Sequence, residues 1–156
     1  YNFDSITVAP YMGEDSITPF LEYPNKWTII LGLTSNNGSS SFQNLALEKG
    51  NFLFQEVLES SSKWGTASNM MYVVGATKAK DLLEIRKIIS EHFLLIPGIG
   101  AQGGDLDEVI KNGINNDVGL LINSSRGIIY AGKDKDFDSK SREEAMKIKN
   151  RMSNFL

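Results

Sequence analysis

No cysteine occurs among the 156 residues, and the only histidine is His92. The first absence excludes a disulfide framework and thiolate-held metal sites, and it fits a reducing cytosol. The second excludes a multi-histidine metal centre within the chain. Basic charge is also scarce: 16 Lys and Arg against 19 Asp and Glu leave a formal net charge of -3 and a pI near 5.2. Such a surface has no basic footprint for a nucleic-acid backbone or an anionic membrane, so neither is expected as a partner. A small anionic ligand needs only a local basic site. Nowhere do about 18 apolar residues run without interruption, and no charged-then-apolar signal segment opens the chain. A soluble, cytoplasmic protein is therefore expected.

What is present is a 41% share of apolar residues, enough for one modest globular domain and too rich in Ile, Leu and Phe for disorder. The chain opens at Tyr1 rather than Met and passes almost at once into strand-like Ser5–Ala9, which predicts a piece of something longer. Short β-rich runs alternate with longer helical ones, the pattern of βα units around a parallel sheet. Strands are expected at Ser5–Ala9, Thr28–Leu33, Met71–Val74, Phe93–Ile96 and Gly119–Ile122. A short helix is expected over Asp15–Leu21 and a long one over Phe42–Ser61, with Phe52, Leu53, Val57 and Leu58 facing inward. Leu82, Leu83, Ile85, Ile88 and Ile89 make an apolar stripe in a helix over Lys78–Ile89, and further helices are expected at Asp105–Asn112 and Arg142–Phe155. Ser35–Ser41 reads as a flexible loop and Lys133–Lys140 as a solvated connector of mixed charge. Strict alternation admits two α/β architectures: an open doubly wound sheet, which fits the length, or part of a (β/α)₈ barrel, which needs about 250 residues in full.

The loops arbitrate. After the fourth expected strand stands Pro97-Gly-Ile-Gly-Ala-Gln-Gly-Gly-Asp105, which contains a Gly-x-Gly-x-x-Gly spacing. A dinucleotide fingerprint also requires a carboxylate at the far end of the next strand to hold the ribose. That strand ends in Leu121-Ile-Asn123, Asp117 lies before it, and Pro97 separates strand from glycine, so the dinucleotide reading fails. In βα barrels a phosphate is often held by the loops after the seventh and eighth strands. Glycine backbone N–H groups, the Gln102 side chain and the Arg126 fork, on the loops after consecutive strands, suit that task. Singly, the glycines also suit tight turns and Arg126 a surface ion pair. Ser124 and Ser125 lack a Gly-x-Ser-x-Gly nucleophile elbow, and only one histidine is available as a base, so serine hydrolysis is not expected. His92 falls at the strand end opposite the ligand loops and reads as structural or exposed.

The segments DSITVAPYMGEDS (Asp4–Ser16), LGLTSNNG (Leu31–Gly38), MMYVVGATKAKDLLEIRKI (Met70–Ile88), LLIPGIGAQGGDL (Leu94–Leu106) and GLLINSSRGIIYA (Gly119–Ala131) resemble orotidine 5′-phosphate decarboxylase, particularly its longer bacterial branch. The resemblance implies a (β/α)₈ TIM barrel, here about strands four to eight of one domain. It matches Gln102 and Arg126 to phosphate ligands, with backbone around Ser125 and Gly127 assisting, and Thr34 and Ser35 to the loop that contacts the pyrimidine. It implies removal of CO2 from orotidine 5′-monophosphate to give UMP, with no metal or organic cofactor, in a homodimer. The family's Asp-x-Lys-x-x-Asp catalytic motif does not occur in this sequence. The resemblance therefore implies that catalytic residues reside in a missing N-terminal half and that this segment alone is inactive. Another sugar-phosphate barrel enzyme, or a non-catalytic phosphate-binding fragment, are the alternatives.

Overall fold

The computed structural model describes residues 1–100 and 103–155. Five strands, β1 (Ser5–Val8), β2 (Trp27–Leu33), β3 (Met70–Val74), β4 (Phe93–Pro97) and β5 (Leu120–Asn123), form one sheet in the order β1-β2-β3-β4-β5. Every neighbouring pair is parallel. A doubly wound sheet reverses its strand order once, and this one does not. Crossovers between parallel strands are right-handed, so an unreversed order carries every connection over the same face. The helices gather there: α1 (Thr18–Leu21), α2 (Leu53–Ser61), α3 (Leu82–Ile88), α4 (Leu106–Gly113), α5 (Ser125–Ile129) and α6 (Phe137–Ser153).

The register shows the consequence. Ile30, Tyr72, Leu94 and Leu120 lie in one row across four strands and are 0%, 0%, 0% and 5% exposed, packed with Leu58, Leu82, Ile85, Val109 and Ile110 of the helices. The next row, Leu31, Val73, Leu95 and Leu121, points to the opposite face, and Leu121 is 49% exposed. Side chains alternate across a strand, so one face is a finished core and the other is the concave interior face of a barrel wall.

Several boundaries differ from the sequence expectation. The helix expected from Phe42 begins at Leu53. Leu47 N–H donates to the Asn51 carbonyl at 2.8 Å, Gly50 turns at φ +88°, and Ala46 pairs with Phe52. That turn moves the inner face of α2 to Phe54, Leu58 and Ser61, and leaves Phe52 46% exposed. Leu83, expected in the stripe of α3, is 53% exposed, because the three-ten stretch Ala76–Asp81 rotates the following helix. Asp15–Leu21 is a three-ten turn, Glu14–Ser16, followed by α1, since Pro19 has no N–H to bond the preceding turn. Asn37–Ser41, expected as flexible loop, is a three-ten turn. Helix α6 starts at Phe137 within the expected connector, where Asp136 and Lys140 pair at 2.9 Å one turn apart.

Two polar groups inside the helix-side layer carry long-range ties. The Ser61 hydroxyl donates to the Val57 carbonyl at 2.6 Å, so the Tyr72 hydroxyl, 3.0 Å from Ser61 Oγ, is the donor in that pair. Burial pushes the Tyr72 hydroxyl up to about 12. His92 packs its ring edge-on to Tyr72, with centroids 5.4 Å apart, and both ring nitrogens are buried without a partner among the described residues. Burial first, then the nearby Arg86 charge, hold its pKa below 6.5, with Glu91 pulling the other way. The unfolded chain therefore takes up this proton as pH falls through about 6.5, while the folded chain resists it, so stability is full above that value and declines below. Between about pH 7 and about pH 5 the urea midpoint of the wild type is expected to fall further than that of His92→Phe. Equal losses would show that His92 carries none of the acid sensitivity.

Candidate functional site

The C-terminal ends of β2 to β5 carry a continuous rim, and glycines make it close. In the loop after β4, Gly98, Gly100 and Gly103 all have positive φ, at 99°, 70° and 83°, a region closed to most side chains. The Gly-x-Gly-x-x-Gly spacing is thus a requirement of this backbone. The Gly103 N–H donates to the Gly100 carbonyl at 2.9 Å, and Gly104 folds back on Gly98. A side chain at Gly104 would collide with the Cβ of Ala76, just after β3. One strand earlier the same close approach recurs: a Cβ on Gly75 would stand 2.6 Å from that of Ser35. The Gly75 N–H donates to the Leu33 carbonyl at 2.8 Å. The loops after β2, β3 and β4 are therefore in backbone contact.

The loop after β5 closes the other side. Ser124 is 9% exposed, and its hydroxyl donates to the Ile99 carbonyl at 3.3 Å, tying the two final loops together. Ser125 donates to Asn123 Oδ1 at 3.0 Å. Gly127 follows because a Cβ there would stand 2.8 Å from Ser124 Oγ. Between the loops lies a cavity of about 70 Å³ lined by Pro97, Gly98, Ile99, Asn123, Ser124, Ser125 and Arg126. Arg126 is exposed, and its side chain makes no hydrogen bond or ion pair among the described residues. Its guanidinium is thus a charge with five donors uncommitted, beside backbone N–H groups of the first turn of α5, which have no partner within the helix. The sequence expectation did not contain α5.

The expected site residues fall as follows. Ser125, Arg126 and Gly127 are together at the start of α5. Thr34 and Ser35 are half-buried just past the end of β2, and the Gly75–Ala76 and Gly104 contacts link them to the glycine loop. Gln102 lies outside the described residues. Sequence reasoning missed Gln43, whose amide grips Thr34, and Gly75, which admits Ser35. Gly75 carried a signal in Val-Val-Gly, a glycine where an apolar strand ends; Gln43 carried none. Among the described residues there is no group of three or more His, Cys, Asp or Glu suited to a metal, and no helix long and apolar enough to cross a membrane.

An unreversed parallel sheet, helices on one face and a continuous rim of loops at the ends of β2 to β5 define a stretch of βα barrel. The family model for orotidine 5′-phosphate decarboxylase / HUMPS matches residues 1–137. The chain belongs to that family. It is 56% identical over 155 residues to the orotidine 5′-phosphate decarboxylase of Flavobacterium johnsoniae, covering 99% of this chain and 56% of that protein. The enzyme of the same name from Bacteroides fragilis is 53% identical, at 99% and 57% coverage. Among solved structures, the Leishmania donovani OMP decarboxylase superposes with a TM-score of 0.80 at 34% identity, covering 96% of this chain and 57% of that one. The UMP synthase of the same organism gives 0.82 at 37% identity, over 95% of this chain and 33% of that one. The chain thus spans somewhat more than half the length of the curated relatives it matches.

Proposed function

We propose that this chain is the C-terminal part of a single barrel domain that decarboxylates orotidine 5′-monophosphate to UMP, and that it supplies the grip on the phosphate and on the base. The observation that carries the reading is the cavity between the last two loops, with the uncommitted Arg126 at its mouth and Ser124 holding its two walls together. A phosphate dianion accepts paired hydrogen bonds from a guanidinium fork and from backbone N–H groups. Contacts so far from the reacting carbon accelerate the chemistry only if their binding energy is used to order the reacting end. The contiguous rim from Arg126 through Gly104 and Ala76 to Ser35 provides the physical connection.

The Asp-x-Lys-x-x-Asp residues that the family resemblance assigns to proton transfer are not in these 156 residues. We therefore place them in a preceding segment whose strands complete the barrel against the open edges of β1 and β5. Association into homodimers in the cytoplasm belongs to the same reading. The test is an assay of the full-length protein and of residues 1–156 with orotidine 5′-monophosphate, following UMP and CO2. The full-length protein is expected to turn over and the segment is not. Turnover of some other sugar phosphate by the full-length protein, with none of orotidine monophosphate, would replace this proposal with a different barrel enzyme.

A further inference from the structure

The amide of Gln43 is fitted to Thr34 from both sides. Gln43 Oε1 accepts the Thr34 backbone N–H at 2.8 Å, and Gln43 Nε2 donates to Thr34 Oγ1 at 2.9 Å. The Thr34 hydroxyl has one proton, and its closest acceptor is Asn36 Oδ1 at 2.6 Å. Donor and acceptor assignments therefore close consistently: backbone N–H to Gln43, Gln43 to hydroxyl, hydroxyl to Asn36. Gln43 is itself fixed at the backbone, since its N–H donates to the Ser39 carbonyl at 2.8 Å and its carbonyl accepts from Phe54 N–H at 3.0 Å in the first turn of α2. On the far side, the backbone of Ser35 lies against Gly75, where no Cβ fits. The segment Thr34–Ser35 is thus clamped between a side chain anchored to α2 and the end of β3.

This arrangement changes the role of Thr34. A hydroxyl whose proton goes to Asn36 has none to donate to a ligand and keeps one acceptor lone pair beside the one that receives Gln43, so Thr34 serves first to hold the loop in place. We infer that Gln43 is a positioning residue that acts through Thr34 to set the β2 loop at the height where a nucleotide base is gripped. The inference rests on the function proposed above, because that reading puts the base at this loop. It requires that Gln43 matter for the base and not for the phosphate, since the phosphate cavity lies on the far side of the rim.

The experiment compares UMP with ribose 5-phosphate, which has the same phosphate and no base, on the full-length protein. In Gln43→Met, which keeps the length of the side chain and loses both bonds, UMP affinity is expected to fall about 10-fold while ribose 5-phosphate changes less than about 2-fold. Gln43→Glu keeps the acceptor for the Thr34 N–H and can draw the hydroxyl proton from Asn36, so it is expected to restore most of the preference for UMP. Thr34→Val is expected to copy Gln43→Met, and the double variant is expected to add nothing further, because the two side chains act as one unit. Unchanged UMP affinity in Gln43→Met, equal losses for both ligands, or additive effects would each overturn the assignment of Gln43 alone. A wild-type protein that does not prefer UMP over ribose 5-phosphate would remove the functional reading and this assignment with it.

Discussion

Arg126→Ala in the full-length protein is expected to lower kcat/KM for orotidine 5′-monophosphate by about 10²- to 10⁴-fold. The figure follows from two hydrogen bonds to a charged phosphate at about 1.5–3 kcal/mol each, with every 1.36 kcal/mol worth a factor of ten. Arg126 is exposed and unpaired among the described residues, so its loss removes no structural contact and the melting temperature is expected to stay the same. Inhibition by inorganic phosphate should weaken in parallel, because the lost contact belongs to that group alone. Arg126→Lys keeps the charge but not the planar fork, and should fall between wild type and alanine. Kinetics unchanged in Arg126→Ala would overturn the phosphate assignment.

The second large effect is expected far from the site. Arg86 projects from α3 into the layer beneath the sheet, where its guanidinium bonds backbone carbonyls in three places: the end of α4, the turn between α3 and β4, and the entrance to β5. Nε donates to Gly113 at 2.6 Å, Nη1 to His92 at 2.7 Å and to Ile89 at 3.2 Å, and Nη2 to Gly119 at 2.9 Å. These carbonyls close the turns that lead into β4 and β5, so one side chain fixes where both strands begin. Burial draws the Arg86 pKa down to about 10, which leaves it charged at neutral pH. Arg86→Met leaves these carbonyls without their charged donor and should cost about 3 kcal/mol, at about 1–3 kcal/mol for each acceptor that stays dry, and lower the melting temperature by roughly 10 °C. Arg86→Lys, with three donors on a compact head, cannot span the same carbonyls and should recover only part. A melting temperature within about 1 °C of wild type in Arg86→Met would show that the turns close without it.

Alternation of strand and helix, the position of all five strands to within one or two residues, and the tight glycine turn after β4 were legible because they rest on local chemistry. An apolar run of four to seven residues between Gly, Asn and Ser clusters has few conformations open to it. The glycine spacing at Gly98, Gly100 and Gly103 records positive φ angles that other residues resist. The start of α2 was not legible, since Phe42, Leu45 and Leu47 continue an apolar pattern that only the turn at Gly50 and the pairing of Ala46 with Phe52 interrupt. The split of α3 from the stretch before it was hidden for the same reason.

The sequence by itself therefore determined where the five strands lie and that helices alternate with them, because those properties are settled by neighbours within a few residues. The tertiary structure alone decided that the sheet is unreversed, and so that every helix covers one face and the other is left as a barrel interior. It alone brought Gln43 to Thr34, Gly75 to Ser35, Gly104 to Ala76 and Arg86 to the carbonyls of Gly113 and Gly119. Those pairings join residues that are 9 to 40 positions apart, where no local propensity acts, and their energy exists only once the strands have paired in register.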